Sequence, residues 1–222
     1  MNGYFKDRID AGKRLARLLE HYHDKGVVVY ALPRGGVILG AEIAKRLNAP
    51  LDLIITRKIG HPYNPEYAIG ATAENGHAVF SKEEILEVSP EWYREEAERQ
   101  KLEAKRRREL YLGGRRPISC TGKIAILVDD GVATGLTMKA AIKELQIHYK
   151  PKKIIVAVGV TSWEIAAELE KEGVEVLAVI TDKDFLGSIG AYYQNFSPIE
   201  DMEVIKITRE VKEYVPVPIQ AV

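Results

Sequence analysis

The chain has 222 residues, 46% of them hydrophobic and 29% charged, with 32 Lys+Arg against 32 Asp+Glu and a formal net charge of +0. At that length one α/β domain, or one core with a subdomain, is expected, and a disordered chain is excluded; Cys120, the single cysteine, excludes a disulfide scaffold. Neutrality also removes the basic surplus with which a dedicated nucleic-acid binder neutralises phosphates, while leaving room for a small charged ligand.

A helical pattern near Ile9 to Tyr22 is followed by an apolar, β-branched strand at Val27–Ala31, the loop Leu32-Pro33-Arg34-Gly35-Gly36 and a helix at Val37–Leu47. A second strand is expected at Leu51–Thr56. The stretch from Gly60 to Arg116 breaks this rhythm and reads as an insertion, with a hairpin of Tyr67–Thr72 against His77–Phe80 across Asn75-Gly76. Within it, Ser89-Pro90 predicts the start of a charged helix that runs to about Leu112 and stops at Gly113-Gly114. Glu95 with Arg99 and Glu103 with Arg107 stand at i,i+4, so this helix reads as a solvated, salt-bridged one rather than an RNA clamp. Strands at Lys123–Val128, Lys153–Val160 and Val174–Ile180 alternate with helices at Leu136–Tyr149 and Trp163–Lys171. The prolines after Tyr214 predict an extended tail over 214–222. The sum is a single domain, 1–222, with a doubly wound, mainly five-stranded parallel sheet and flanking helices.

Apolar runs such as Val27–Leu32 and Ile124–Val128 fall far short of the roughly 20 residues that span a bilayer, so no membrane partner is expected. A start without an apolar leader and an unpairable Cys120 point to the cytoplasm. Cys120 itself, just before a strand, reads as a small buried or boundary residue, and His21 and His23, at a helix end, are assigned no metal.

The chemistry concentrates in Ile124-Ala-Ile-Leu-Val-Asp129-Asp130-Gly131-Val132-Ala133-Thr134-Gly135-Leu136-Thr137. Two carboxylates at the C-terminal edge of a buried strand lie where open α/β sheets bind ligands, and they can accept hydrogen bonds from neighbouring sugar hydroxyls or hold hydrated Mg²⁺. The helix start that follows, with the Thr134 and Thr137 hydroxyls, can cradle a phosphate. No G-x-x-x-x-G-K-[ST] loop occurs that would make the acids part of an ATPase, and no G-x-G-x-x-G follows the first strand.

This block resembles the signature of type I phosphoribosyltransferases: apolar residues, two acids, two variable residues, then small-Thr-Gly-x-Thr. Leu136 departs from the pattern, which often has a small residue there. The resemblance implies that Asp129 and Asp130 hold the ribose hydroxyls of phosphoribosyl pyrophosphate (PRPP), directly and with Mg²⁺ through water, and that Ala133, Thr134, Gly135, Leu136 and Thr137 bind its 5-phosphate. By the same resemblance Arg34, Gly35 and Gly36 form the pyrophosphate loop, and Lys58, rather than its neighbour Arg57, assists there. Residues 182–201 would be the hood that selects a heterocyclic base, with Tyr192 and Tyr193 as stacking rings and Asp184 as a candidate general base. Part of 60–116 would close over the site, and a homodimer is common in the family.

The implied reaction is Mg²⁺-assisted transfer of the 5-phosphoribosyl group to a nitrogenous base, releasing pyrophosphate. Ala133 stands where 6-oxopurine enzymes carry an aspartate, which disfavours hypoxanthine and guanine and keeps adenine open. A non-catalytic PRPP or nucleotide sensor is the alternative, and a PRPP pyrophosphohydrolase a third.

Overall fold

The computed structural model describes residues 5–81 and 83–214. In chain order, α1 (Arg8–Leu18), β1 (Val28–Ala31), α2 (Gly36–Leu47) and β2 (Leu51–Leu53) come first. An inserted unit follows, built of β3 (Thr56–His61), β4 (Asn64–Ala73), β5 (Ala78–Phe80) and α3 (Pro90–Leu112). The chain then completes the core with β6 (Ile124–Val132), α4 (Leu136–Glu144), β7 (Lys153–Ser162), α5 (Trp163–Glu170) and β8 (Glu175–Asp182), and adds α6 (Asp201–Tyr214).

The main sheet is five-stranded, in the order β2-β1-β6-β7-β8, and every pairing is parallel. Because successive side chains alternate across a strand, each strand feeds two cores. Val29, Ala31, Ile126, Val128, Ile155 and Ala157 pack on the face covered by α1, α2 and α6, and Val28, Tyr30, Ala125, Leu127, Val156 and Val158 on the face covered by α4 and α5. The sheet is therefore wound on both sides, as its uniformly apolar strands predict. α2 leaves β1 toward one face and α4 leaves β6 toward the other, so the crevice between these two strands is the topological switch point.

The second strand ends at Leu53, not at Thr56. Thr56 instead opens β3, which pairs antiparallel with β4, and β4 pairs with β5, giving a separate three-stranded sheet. The hairpin across Asn75-Gly76 is present, with Gly70 opposite Phe80 and Thr72 opposite Ala78. The second hairpin, β3 with β4, is an addition to the sequence expectation, because Arg57-Lys58 and the prolines at 62 and 65 hide its alternation. Ile59, Ile69 and Val88 form this sheet's small core, against which Trp92 and Ala97 of α3 pack. α3 starts on the Ser89 hydroxyl, which accepts from Trp92 N at 3.2 Å, and stops at Gly113, where φ is 58°. α6 is a further addition, with Val204, Thr208 and Val211 as its buried stripe. The expected tail, 214–222, lies outside the described residues apart from Tyr214, the last residue of α6.

A buried ionic cluster joins the inserted unit to the core. Asp52, 0% exposed on β2, accepts from Arg108 of α3 at 3.1 Å, from Arg115 at 3.2 Å and from the Ile118 backbone N–H at 2.7 Å. Arg108 also donates to Glu74, 3.2 Å away at the end of β4, and Asn75 donates to Glu144 of α4. Arg108 is thus an interior cation rather than part of a solvated face. Burial first, opposed by Arg108 and reinforced by the nearby charges of Glu144 and Asp52, pushes the Glu74 pKa up to about 7. Its unfolded value is near 4.5, so between these limits the folded chain holds a proton that the unfolded chain has lost. The contribution of Glu74 to stability is accordingly greatest below the unfolded value, falls as pH rises toward the folded one, and is level above it, with a total change of up to about 3 kcal/mol. Urea unfolding followed between about pH 5 and pH 8 should show this decline in the parent chain and its loss in Glu74→Gln.

Candidate functional site

β1 pairs with β6 only as far as Ala31 opposite Val128, whereas β6 stays paired with β7 to Val132 opposite Thr161. Asp129 and Asp130 lie on the part of β6 that outruns β1, so their backbone is fixed on one side by β7 while the other side opens onto the switch point. The strand is four residues longer than its apolar run, ending at Val132 instead of Val128, and the acids are strand residues rather than loop residues.

The loop Pro33–Gly36 lies directly against them. A Cβ on Gly35 would fall 2.6 Å from Asp130 Cγ, and one on Gly36 would fall 2.6 Å from the Val128 carbonyl and 2.9 Å from Asp129 Cα. Gly35 has φ of −61°, an ordinary helical value, so close approach and not unusual backbone geometry requires glycine here. Asp130 N donates to Asp129 Oδ1 at 2.8 Å, and Arg8 Nε donates to Asp130 Oδ2 at 2.7 Å. Burial, then the neighbouring Asp130 charge, holds the Asp129 carboxyl well above the usual carboxylate range. Burial raises Asp130 as well, against the opposing pull of Arg8.

Gly135 caps α4 in the left-handed region at φ 78°, and no side chain caps the helix. The first N–H groups of α4 and the hydroxyls of Thr134 and Thr137 are therefore without a side-chain partner among the described residues, a ready anion cradle. Ala133 and Thr134 are exposed, and Leu136 is half-buried as the first helical residue.

A cleft of about 630 Å³ joins these parts. Asp129 and Thr137 line it from the core, Pro33 from the loop, and Arg57 and Lys58 from β3. α3 contributes Trp92, Arg99, Gln100 and Arg107, although its charge pattern alone reads as a solvated helix. The Glu103–Arg107 pair is present at 2.9 Å, whereas Arg99 pairs with Glu96 at 2.7 Å rather than with Glu95. The signal that could have found this wall is the spacing of Trp92, Glu96, Arg99, Gln100 and Arg107, which keeps one helical face toward the cleft. Lys58 stands on β3 of the second sheet, not at the end of a main-sheet strand. Arg57 is half-buried and donates to Gln100 at 3.1 Å; burial, then the like charge of Arg107, lowers its pKa.

Other expected site residues sit elsewhere. The Arg34 guanidinium lies 3.9 Å from Asp201 at the start of α6 and does not line the cleft. Tyr192 is 0% exposed, its hydroxyl donating to Asp182 at 2.7 Å, and Tyr193 is 7% exposed, its hydroxyl donating to the Asp130 carbonyl at 2.6 Å. Both rings are packed into the core behind the acid pair, so neither is available to stack on a ligand. Asp184 is exposed, its backbone N–H donating to Asp182 at 3.0 Å.

Substituting Gly35 by alanine should displace the loop from the acid pair and destabilise the fold by about 1–3 kcal/mol, the range for overpacking a filled site. An unchanged urea midpoint would show that the loop and Asp130 are not in contact.

Residues 6–194 match the family model described as a phosphoribosyl transferase domain. A Mycobacterium tuberculosis H37Rv protein named as a phosphoribosyl transferase is 39% identical over 203 residues, 90% of this chain and 45% of that protein, so the chain spans about half the length of the curated relatives it matches. The crystal structure of TT1426 from Thermus thermophilus is 39% identical, with a TM-score of 0.76 over 93% of this chain and 98% of that one. A Neisseria gonorrhoeae protein at 17% identity shares the fold, with a TM-score of 0.50 over 91% of this chain and 92% of that one. With its matched region running from α1 through the acid pair to the segment after β8, the chain belongs to the phosphoribosyl transferase domain family.

Proposed function

We propose that the chain transfers the 5-phosphoribosyl group of PRPP to a ring nitrogen of a heterocyclic base, with inversion at the anomeric carbon and release of pyrophosphate. The observation that carries this reading is the meeting, at one switch point, of the Asp129-Asp130 edge, the uncapped start of α4 and the Pro33–Gly36 loop. In it, the start of α4 with Thr134 and Thr137 binds the 5-phosphate, the acid pair orients the ribose, and Lys58 with Arg57 meets the pyrophosphate as negative charge develops on it.

Mg²⁺ fits this donor set. Asp129 offers hard carboxylate oxygen at the cleft, and among the described residues no group of three or more His, Cys, Asp or Glu is placed to hold a metal, so water and PRPP oxygens would complete the shell. When bound, the ion neutralises charge on the leaving pyrophosphate. The acceptor approaches from the hood side, opposite the leaving group; Ala133 leaves only a methyl there, which favours bases other than 6-oxopurines. A cytoplasmic homodimer completes the reading.

The turn between β3 and β4 borders the cleft through His61, Pro62 and Pro65, and Tyr63 at its tip is 91% exposed. We assign it the closing role, shielding the reacting carbon from water. Trp92 lines the same cleft, so in a Trp163→Phe protein its fluorescence should change saturably with PRPP and Mg²⁺, and a flat titration would remove the closing role.

Pyrophosphate release from PRPP with Mg²⁺, measured with adenine, pyrimidine and nicotinate-type bases, should be base-dependent and should fall by about a hundredfold or more in Asp129→Asn. PRPP binding without release on any base would move the assignment to a sensor, and release without a base to a hydrolase.

A further inference from the structure

The two adjacent acids are not equivalent, and the difference is made by Arg8, a residue with no motif around it. Arg8 is 8% exposed. Its Nε donates to Asp130 Oδ2 at 2.7 Å, its Nη1 to the Ser197 carbonyl at 2.9 Å, and its guanidinium carbon lies 3.7 Å above the centre of the Phe196 ring. Asp129, by contrast, lines the cleft and is engaged by the backbone N–H of Asp130. The segment bearing Arg8 is itself stitched to the hood, with Phe5 N donating to Tyr192 O at 3.0 Å, Gln194 N to Phe5 O at 2.9 Å and Asn195 N to Lys6 O at 2.9 Å.

We propose that Arg8 is a positioning residue: by holding Asp130 against the Pro33–Gly36 loop it sets the acid pair in the arrangement that faces PRPP, with Asp129 foremost at the cleft, and it ties that arrangement to the hood. This rests on the PRPP reading above. The geometry needs arginine. One guanidinium reaches a carboxylate and a carbonyl on different segments while its flat face covers Phe196, whereas the compact ammonium of lysine has neither the planar fork that spans both acceptors nor a flat face to lie on the ring. Removing the cation leaves Asp130 wedged beside Gly35 with its charge uncompensated, free to turn away from its present position.

The test is calorimetric binding of PRPP with Mg²⁺ to the parent chain and to Arg8→Met, Arg8→Lys, Asp130→Asn, Arg8→Met/Asp130→Asn and Asp129→Asn, with thermal midpoints for each. Arg8→Met should weaken binding by about tenfold or more, the scale of effect a misplaced site produces, and Arg8→Lys should recover part of it. The Arg8 and Asp130 substitutions should be non-additive, with the double variant no weaker than Arg8→Met alone. If Arg8→Met fails to fold, Phe196→Leu, which removes the ring beneath the guanidinium and keeps an apolar side chain against Tyr193, should weaken binding several-fold. Unchanged affinity in Arg8→Met or Phe196→Leu, or effects of Arg8 and Asp130 that simply add, would overturn the proposal while leaving the PRPP reading intact. Unchanged affinity in Asp129→Asn would instead sink the PRPP reading, and this proposal with it.

Discussion

Much of this molecule follows from a mismatch in strand length. β1 stops at Ala31, while β6 continues beside β7 to Val132. A carboxylate in the middle of a doubly covered sheet has no water to solvate it and needs full compensation, but at the unpaired flank of a protruding strand it can be half-buried and still meet a ligand. The same mismatch lets the chain after β1 turn over the protruding segment, and only glycine at 35 and 36 allows that turn to pass so close. Because α2 and α4 depart to opposite faces, neither helix fills the opening.

The inserted unit solves a different problem, that of giving the crevice a wall. A three-stranded sheet with three fully buried or nearly buried apolar residues at its centre is too small to hold its own orientation. Asp52 supplies the anchor by gathering Arg108 and Arg115 in an interior where both sides of each pair are needed. Arg108 ties the C-terminal half of α3 to β2 through Asp52 and the Leu53 carbonyl, while Trp92 and Ala97 pack its N-terminal half on the inserted sheet. The face of α3 carrying Trp92, Arg99 and Arg107 is thereby aimed at the cleft.

The sheet, its winding and the phosphate-binding segment are legible in the sequence because each is written locally: apolar β-branched runs set the strands, and two acids followed by a Thr-Gly-x-Thr turn have few alternative uses. What depends on distant parts of the chain is not. Asp52 in an apolar strand gives no hint of which cations will meet it, and Arg108 looks like its exposed neighbour Arg106 until the fold turns it inward. Tyr192 and Tyr193 illustrate the converse error, since aromatic residues near a ligand edge suit a core as well as a base, and here their hydroxyls are taken by Asp182 and the Asp130 carbonyl. The stripe of Val204, Thr208 and Val211 in α6 is short and runs straight into the prolines beyond Tyr214, which mask the helix before them.

The bond from Arg8 to Ser197 joins residues 189 positions apart. During synthesis, α1, the Pro33–Gly36 loop and the acid pair all emerge well before the segment that holds Arg8 in place, and non-local contacts of this separation are among the last to form. Until that segment is in place, Arg8 lacks the Ser197 carbonyl and the Phe196 ring that orient it toward Asp130. The ligand edge can therefore take up its settled charge pairing only when residues far apart along the chain have met.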